Sequence, residues 1–259
     1  MQQWELFMCA ANRPATTRGL RDYQLRRFAN DHGGEPWSVT TDEMVSWIGG
    51  KDWAAETKRA YRAALRSFYG WAHVTGRILT NPAALLPPIK SPIRMPRPTP
   101  ESVLSAALLL ADDRVRLMVL LAAREGLRRG EIAQVHTRDL EPDALGWSLR
   151  VHGKGAKERM VPLCDQVWMR LREAPAGYVF PGQINGHLSP ARVGELVSGV
   201  LGPGWTTHTL RHRFATACYA GDRDLFAVQT LLGHSRPETT RQYVLLPNGA
   251  LRAAIAFAA

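Results

Sequence analysis

Cysteine is scarce in this sequence, and what there is does not pair. Cys9, Cys164 and Cys218 are odd in number and far apart. Neither a disulfide framework nor a zinc site with closely spaced ligands is indicated, and a reducing cytoplasm suits such a chain. Long apolar runs are missing too. No stretch approaches the roughly 18 consecutive apolar residues of a spanning helix, so no such helix is expected. The start, Met1-Gln2-Gln3-Trp4-Glu5, lacks the basic region and apolar core of a secretory signal. Acidic residues are in deficit. Against 33 Lys and Arg stand 23 Asp and Glu, leaving a net charge of +10, enough to favour a polyanionic partner.

That charge is spread along the chain. Residues 1–90 carry 12 basic against 8 acidic side chains, and residues 91–259 carry 21 against 15. Both halves are basic, as expected if both touch one polyanion. Between them, Leu86 to Pro100 holds six prolines together with Lys90, Arg94 and Arg97. Proline fixes φ and has no N–H, so this stretch is expected to be an extended, semi-rigid linker. The boundaries that follow are a helical domain at 1–86, a linker at 87–100, a second domain at 101–245 and a tail at 246–259.

The first domain reads as all helix. Tyr61, Leu65, Phe68 and Trp71 recur at the spacing of one apolar helix face, with Arg62 and Arg66 on other faces. Thr40-Thr41-Asp42-Glu43 is a helix start. Five of the eight tryptophans fall within the first 71 residues, a large apolar payload for a small bundle. After the linker, Pro100 to Gly126 predicts two apolar helices. A hairpin follows, Trp147–His152 and Glu158–Leu163 around Gly153-Lys154-Gly155, with a third short strand at Tyr178–Phe180. Helices dominate from Pro190. The expected class is mainly α with a small antiparallel β-sheet.

Four segments carry polar side chains on tight turns or apolar elements. Arg128 and Glu131, three apart after the helix-ending Gly126, would share a helix face. Alone they read as a structural ion pair, and otherwise as an arginine clamp on phosphate held by Glu131. Lys154 lies between glycines that let the backbone approach another molecule, where an ammonium group could protonate a leaving oxygen. Lys157 and Arg159 read as phosphate contacts or surface. His208 and Arg211 share a face near the start of a helix that Thr207 can cap, where the dipole favours an anion. Finally, Leu232-Gly233-His234 precedes a capping box at Ser235 and Glu238, with Arg241 and Tyr243 on the following helix. Tyr243 by itself is an ordinary packing residue.

In this order the segments resemble the tyrosine recombinase (phage integrase) family. Its pattern is an Arg with a following Glu, a Lys on a β-hairpin, His-x-x-Arg, Leu-Gly-His and then a Tyr. Arg128 with Glu131, Lys154, His208 with Arg211, His234 and Tyr243 match it over about residues 100–245. The basic helical segment 1–85 resembles the family's core-binding domain. The resemblance implies site-specific cleavage and rejoining of double-stranded DNA through a 3′-phosphotyrosine and a Holliday junction, with no metal or other cofactor. Tyr243 would attack phosphorus, Arg128 and Arg211 would stabilise the transition state, and Lys154 would protonate the leaving 5′ oxygen. His208 would help take the tyrosine proton, and His234 would bond the phosphate. It also implies a homo-tetramer on two duplexes, a tail exchanged between subunits, and an accessory directionality factor as a partner. Arg62, Arg66, Arg94, Arg97, Lys157, Arg159 and Arg241 are the expected DNA contacts. No room for an arm-binding domain is expected before residue 1, which points to a short phage or mobile-element integrase in the cytoplasm. An Xer-type chromosome-dimer resolvase shares every motif, a type IB topoisomerase shares the chemistry, and a non-catalytic DNA-binding or excision-control protein is the reading from another class.

Overall fold

Proline settles where the chain divides. The computed structural model describes residues 1–90, 95–153 and 157–233, and the chain separates into two compact units, 1–93 and 94–259. The division falls inside the proline-rich segment, whose described residues 87–90 and 95–100 carry neither helix nor strand. Each end of the segment is tied to its own unit. Leu86 is buried in the first core. In the second unit the Thr99 N–H donates to the Thr209 carbonyl at 3.1 Å, and the Arg97 guanidinium lies 4.4 Å from the centre of the Trp205 ring.

The first unit is four helices: α1 (Gln2–Ala10), α2 (Ala15–His32), α3 (Thr41–Gly49) and α4 (Ala55–Val74). Local chemistry sets their ends. Gly33 at φ 69° stops α2, a conformation that costs glycine little. At α3 the Thr40 hydroxyl accepts the Glu43 N–H, and the Glu43 carboxylate accepts the Thr40 N–H at 2.7 Å. The stripe predicted on α4 is buried in full, and Trp4, Met8, Leu25, Phe28, Met44 and Ile48 meet its face. No sequence signal marked α1, because only Trp4 and Met8 anchor so short a helix.

The second unit follows the order α5 (Glu101–Leu110), α6 (Asp113–Arg124), α7 (Arg129–Ala133), β1 (Leu140–Asp143), β2 (Gly146–His152), β3 (Glu158–Pro162), α8 (Asp165–Leu171), β4 (Pro181–Ile184), α9 (Pro190–Leu201), α10 (Thr207–Asp222) and α11 (Leu225–Leu232). Helix α6 is apolar nearly all round, with Val115 and every residue from Leu117 to Ala123 buried, as befits a central helix. The sheet is antiparallel in the order β1-β2-β3. Leu149 pairs with Leu140 on one side and Val161 on the other, and Leu149, Val151 and Val161 are buried.

One strand expectation needs correction, and one strand was not expected. The segment Tyr178–Phe180 is not a strand. Tyr178 makes one isolated bridge to His136, and Phe180 is simply a buried core side chain. The third strand is instead β1, whose Pro142 hid it from the sequence pattern. An edge strand tolerates a proline because one side of it has no ladder to complete.

Gly126 shapes the region that matters for function. It follows α6 at φ +66°, and a Cβ there would stand 2.4 Å from Cδ1 of Phe214 on α10. Only glycine allows the chain to turn here against an aromatic ring. Gly126→Ala should therefore destabilise the second unit by about 1–3 kcal/mol through strained φ and overpacking. Urea unfolding followed at the second unit's tryptophans measures this, and a change below about 0.5 kcal/mol would show that the ring gives way freely.

Candidate active site

Arg128 stands at the N-cap of α7 rather than within a helix, so its pairing with Glu131 is a capping arrangement and not the neighbouring helix face expected from spacing. The Glu131 Oε2 accepts the Arg128 backbone N–H at 2.8 Å, and Oε1 accepts from the Arg128 guanidinium at 2.8 Å. Arg128 keeps 41% of its side chain exposed, whereas Glu131 keeps 5%.

A carboxylate that deep needs cations around it, and two more arginines supply them. Arg159 on β3 meets Glu131 with two parallel bonds, Nη1 to Oε1 and Nη2 to Oε2, both 2.9 Å. Arg211 on α10 brings its Nη1 to 3.8 Å from Oε2. Burial alone would push the Glu131 carboxyl up. The hydrogen bonds and charge of Arg159, then the Arg128 N–H and guanidinium, outweigh it and hold the pKa at about 2.

Helix α10 delivers His208 and Arg211. Its N-cap is Thr206, one residue before the expected Thr207. The Thr206 hydroxyl accepts the His208 and Thr209 N–H groups, and Thr209 Oγ1 accepts the Thr206 N–H at 2.9 Å. The reciprocal bond from Thr209 decides between the two threonines, and Thr207 is buried. Arg211 is 1% exposed. It donates from Nη1 to the Gly126 carbonyl and from Nη2 to the Leu232 carbonyl at 2.5 Å. His208 remains open to solvent, with its ring centroid 4.6 Å from that of His212. Partial burial, and then the charges of Arg211 and Arg128, lower its pKa from the ordinary 6.5, so the imidazole is neutral at pH 7.

The other expected residues divide by location. Lys154, His234, Arg241, Tyr243 and Arg94 lie outside the described residues, as does the tail 246–259. Lys157 is exposed beside the hairpin turn, where its carbonyl accepts the Gly153 N–H at 2.7 Å. Arg159 does not lie on the surface. Its side chain is 10% exposed and its donors point at Glu131 and the Leu231 carbonyl, because the buried carboxylate draws it inward. In the first unit, Arg62 donates to the Leu86 carbonyl at 2.7 and 3.1 Å, and Arg66 to that of Ala84 at 2.6 Å, so both hold the chain leading into the linker. Arg97 is exposed at its Trp205 stack. Glu125 escaped the sequence reading. It is buried, burial pushes its carboxyl up, and the Cys164 N–H it accepts at 3.0 Å pulls the other way.

Glu131 links stability to pH with a definite sign. A carboxyl whose pKa falls from 4.5 unfolded to about 2 folded binds fewer protons in the native state. Its contribution, about 3 kcal/mol, is present in full above pH 4.5 and is lost as pH falls towards 2. Glu131→Gln should cost about that much at pH 7, with the gap to the parent narrowing below pH 4.5 in urea melts. A gap that stays constant down to pH 3 would contradict the assignment.

Comparison with known proteins shows the family and the fold. Residues 101–247 match the model of the phage integrase family. Tyrosine recombinase XerC of Rhodospirillum centenum is 34% identical, in an alignment covering 89% of this chain and 78% of the relative. The fold is that of XerH site-specific recombinase bound to a palindromic difH substrate, at TM-score 0.75 and 20% identity over 95% of this chain and 81% of that one. It is also that of a lambda integrase dimer bound to a core site, at TM-score 0.71 and 20% identity over 93% and 75% of the two chains. The chain therefore belongs to the phage integrase family, the tyrosine recombinases that carry out site-specific DNA recombination.

Proposed function

We propose that this recombinase cleaves and rejoins DNA through Tyr243, in the service of phage or mobile-element integration and excision. The observation that carries the reading is the buried Glu131 carboxylate, which joins the partly exposed Arg128 and the buried Arg211 in one network beside a neutral His208. Two guanidinium groups held in place by Glu131, one buried and one partly open to solvent, suit the negative charge that builds on the non-bridging oxygens of a phosphodiester under attack. Arg128, the more open of the two, meets the phosphate first, and Arg211 supplies charge from behind.

The steps balance without a metal or nucleotide. The Tyr243 hydroxyl gives its proton towards His208, whose lowered pKa leaves it free to accept one. The phenolate oxygen forms a bond to phosphorus as the bond to the 5′ oxygen breaks. Lys154 protonates that oxygen, leaving a 3′-phosphotyrosine and a free 5′ hydroxyl. The phosphotyrosine conserves the bond, so a 5′ hydroxyl from a second duplex can reverse the attack and exchange strands. His234 bonds the phosphate throughout. Exchange between two duplexes calls for four protomers on DNA, with the tail 246–259 passing between neighbours and an accessory protein setting direction. The working compartment is the cytoplasm. Arg97 and Lys157, both exposed, and Arg94 and Arg241 are the proposed backbone contacts, and affinity falls steeply with salt.

A second reading has its own observation in favour. The relative aligned over most of both chains is a XerC, so an Xer-type role in resolving chromosome dimers fits this chain as well.

Nicked duplexes enriched from a randomised pool by covalent capture on the parent protein provide the test. The parent should form a denaturant-stable adduct that Tyr243→Phe lacks, while DNA binding persists. Arg211→Ala should lose adduct formation by about 100-fold or more, with binding changed only modestly. An adduct that survives Tyr243→Phe would displace the nucleophile.

A further inference from the structure

Three separate elements converge on one side chain that the proposed chemistry leaves unassigned. Arg159 is the second residue of β3, just after the hairpin connection that carries Lys154. Its Nη1 and Nη2 hold Glu131 on α7, and its Nε donates to the Leu231 carbonyl of α11 at 2.7 Å. The next carbonyl, that of Leu232, is taken by Arg211. Two arginines that share one carboxylate thus cap consecutive carbonyls at the end of α11.

Gly233 makes room for this fork. It ends α11 at φ +61°, and a Cβ on it would stand 3.0 Å from Arg159 Cδ, 3.2 Å from Nη1 and 3.4 Å from Nε. The glycine before His234 therefore serves two purposes, a left-handed helix end and a close approach of Arg159. A lysine at 159 would bring one point charge where a planar group with three bonds is used. The 10% exposure of Arg159 and the inward aim of those bonds argue against a role as a DNA contact.

We propose that Arg159 is a positioning residue for Lys154, five residues before it in the chain: through Glu131 and the Leu231 carbonyl it holds the start of β3 against α7 and α11, beside Arg128 and Arg211. The inference rests on the reading of Lys154 as proton donor to the leaving oxygen. Nothing else among the described residues joins the start of β3 directly to both the arginine network and α11. A shift of β3 by about 1 Å would take a donor out of hydrogen-bond reach and cost on the order of 100-fold in rate.

The test uses two nicked duplexes of one captured sequence, differing only at the scissile phosphate. One has the ordinary 5′ oxygen. The other has sulfur in its place, whose thiol has an ordinary pKa of about 8.5 and leaves without help from an acid. Arg159→Lys should form adduct about 100-fold more slowly than the parent on the oxygen duplex, yet within about 10-fold of it on the sulfur duplex. Gly233→Ala, which crowds Arg159 from the other side, should show the same pattern more weakly, and Arg128→Ala should stay impaired on both duplexes. Thermal melts of each variant confirm that it is folded, and Gly233→Ala carries the test if Arg159→Lys is not. Equal losses on both duplexes, or no loss on either, would overturn the positioning role. A parent protein that forms no adduct on either duplex would overturn the Tyr243 reading and this inference with it.

Discussion

Burying a carboxylate obliges a chain to bring cations to it, and in the second unit that obligation organises everything near the proposed reaction. Glu131 sits at 5% side-chain exposure. Burial alone would push its carboxyl up towards the neutral form. It remains charged because Arg159 grips both oxygens, Arg128 caps it through backbone and side chain, and Arg211 lies behind. The three arginines come from β3, the start of α7 and α10, so one negative charge ties together segments far apart in sequence.

The same arrangement accounts for the electrostatics offered to a substrate. Within the network a single carboxylate faces three guanidinium groups, which leaves an excess of positive charge. Together with partial burial, the larger cause, the charges of Arg211 and Arg128 lower the His208 pKa, and the excess suits a phosphodiester, whose charge rises on the way to the transition state. Because the guanidinium groups are held before any substrate arrives, little reorganisation is needed during reaction. Gly126 has a related part. Its carbonyl accepts from Arg211 while its missing side chain admits Phe214, so the turn that leads to Arg128 also braces the second arginine.

Much of this was legible in the sequence, and the failures have physical causes. Apolar spacing located α4 and the two helices after the linker, since amphipathic or fully apolar helices write their burial into the order of residues. Six prolines marked the stretch where the two units divide. The polar segments named Arg128, Glu131, His208 and Arg211, and the structure brings these four together. Arg159 was misjudged because an arginine near a hairpin usually lies in solvent, and nothing local reveals that its partner is 28 residues away. Glu125 was passed over for the same reason, its partner being the Cys164 backbone. The capping threonine slipped by one residue, a choice made by the reciprocal Thr209 bond. β1 went unseen because a proline is a poor strand signal away from an edge. Long-range polar pairing is decided by the fold, and the sequence shows only its members.

Glu131 and Arg159 act as one unit within the arginine network. A double-mutant cycle measures this most directly, with Glu131→Gln, Arg159→Met and the combined variant compared with the parent by urea unfolding at pH 7. The two losses should not add, with a coupling energy of about 2 kcal/mol or more between the sites. Losses that sum to within about 0.5 kcal/mol would contradict it, since independent residues behave in that way.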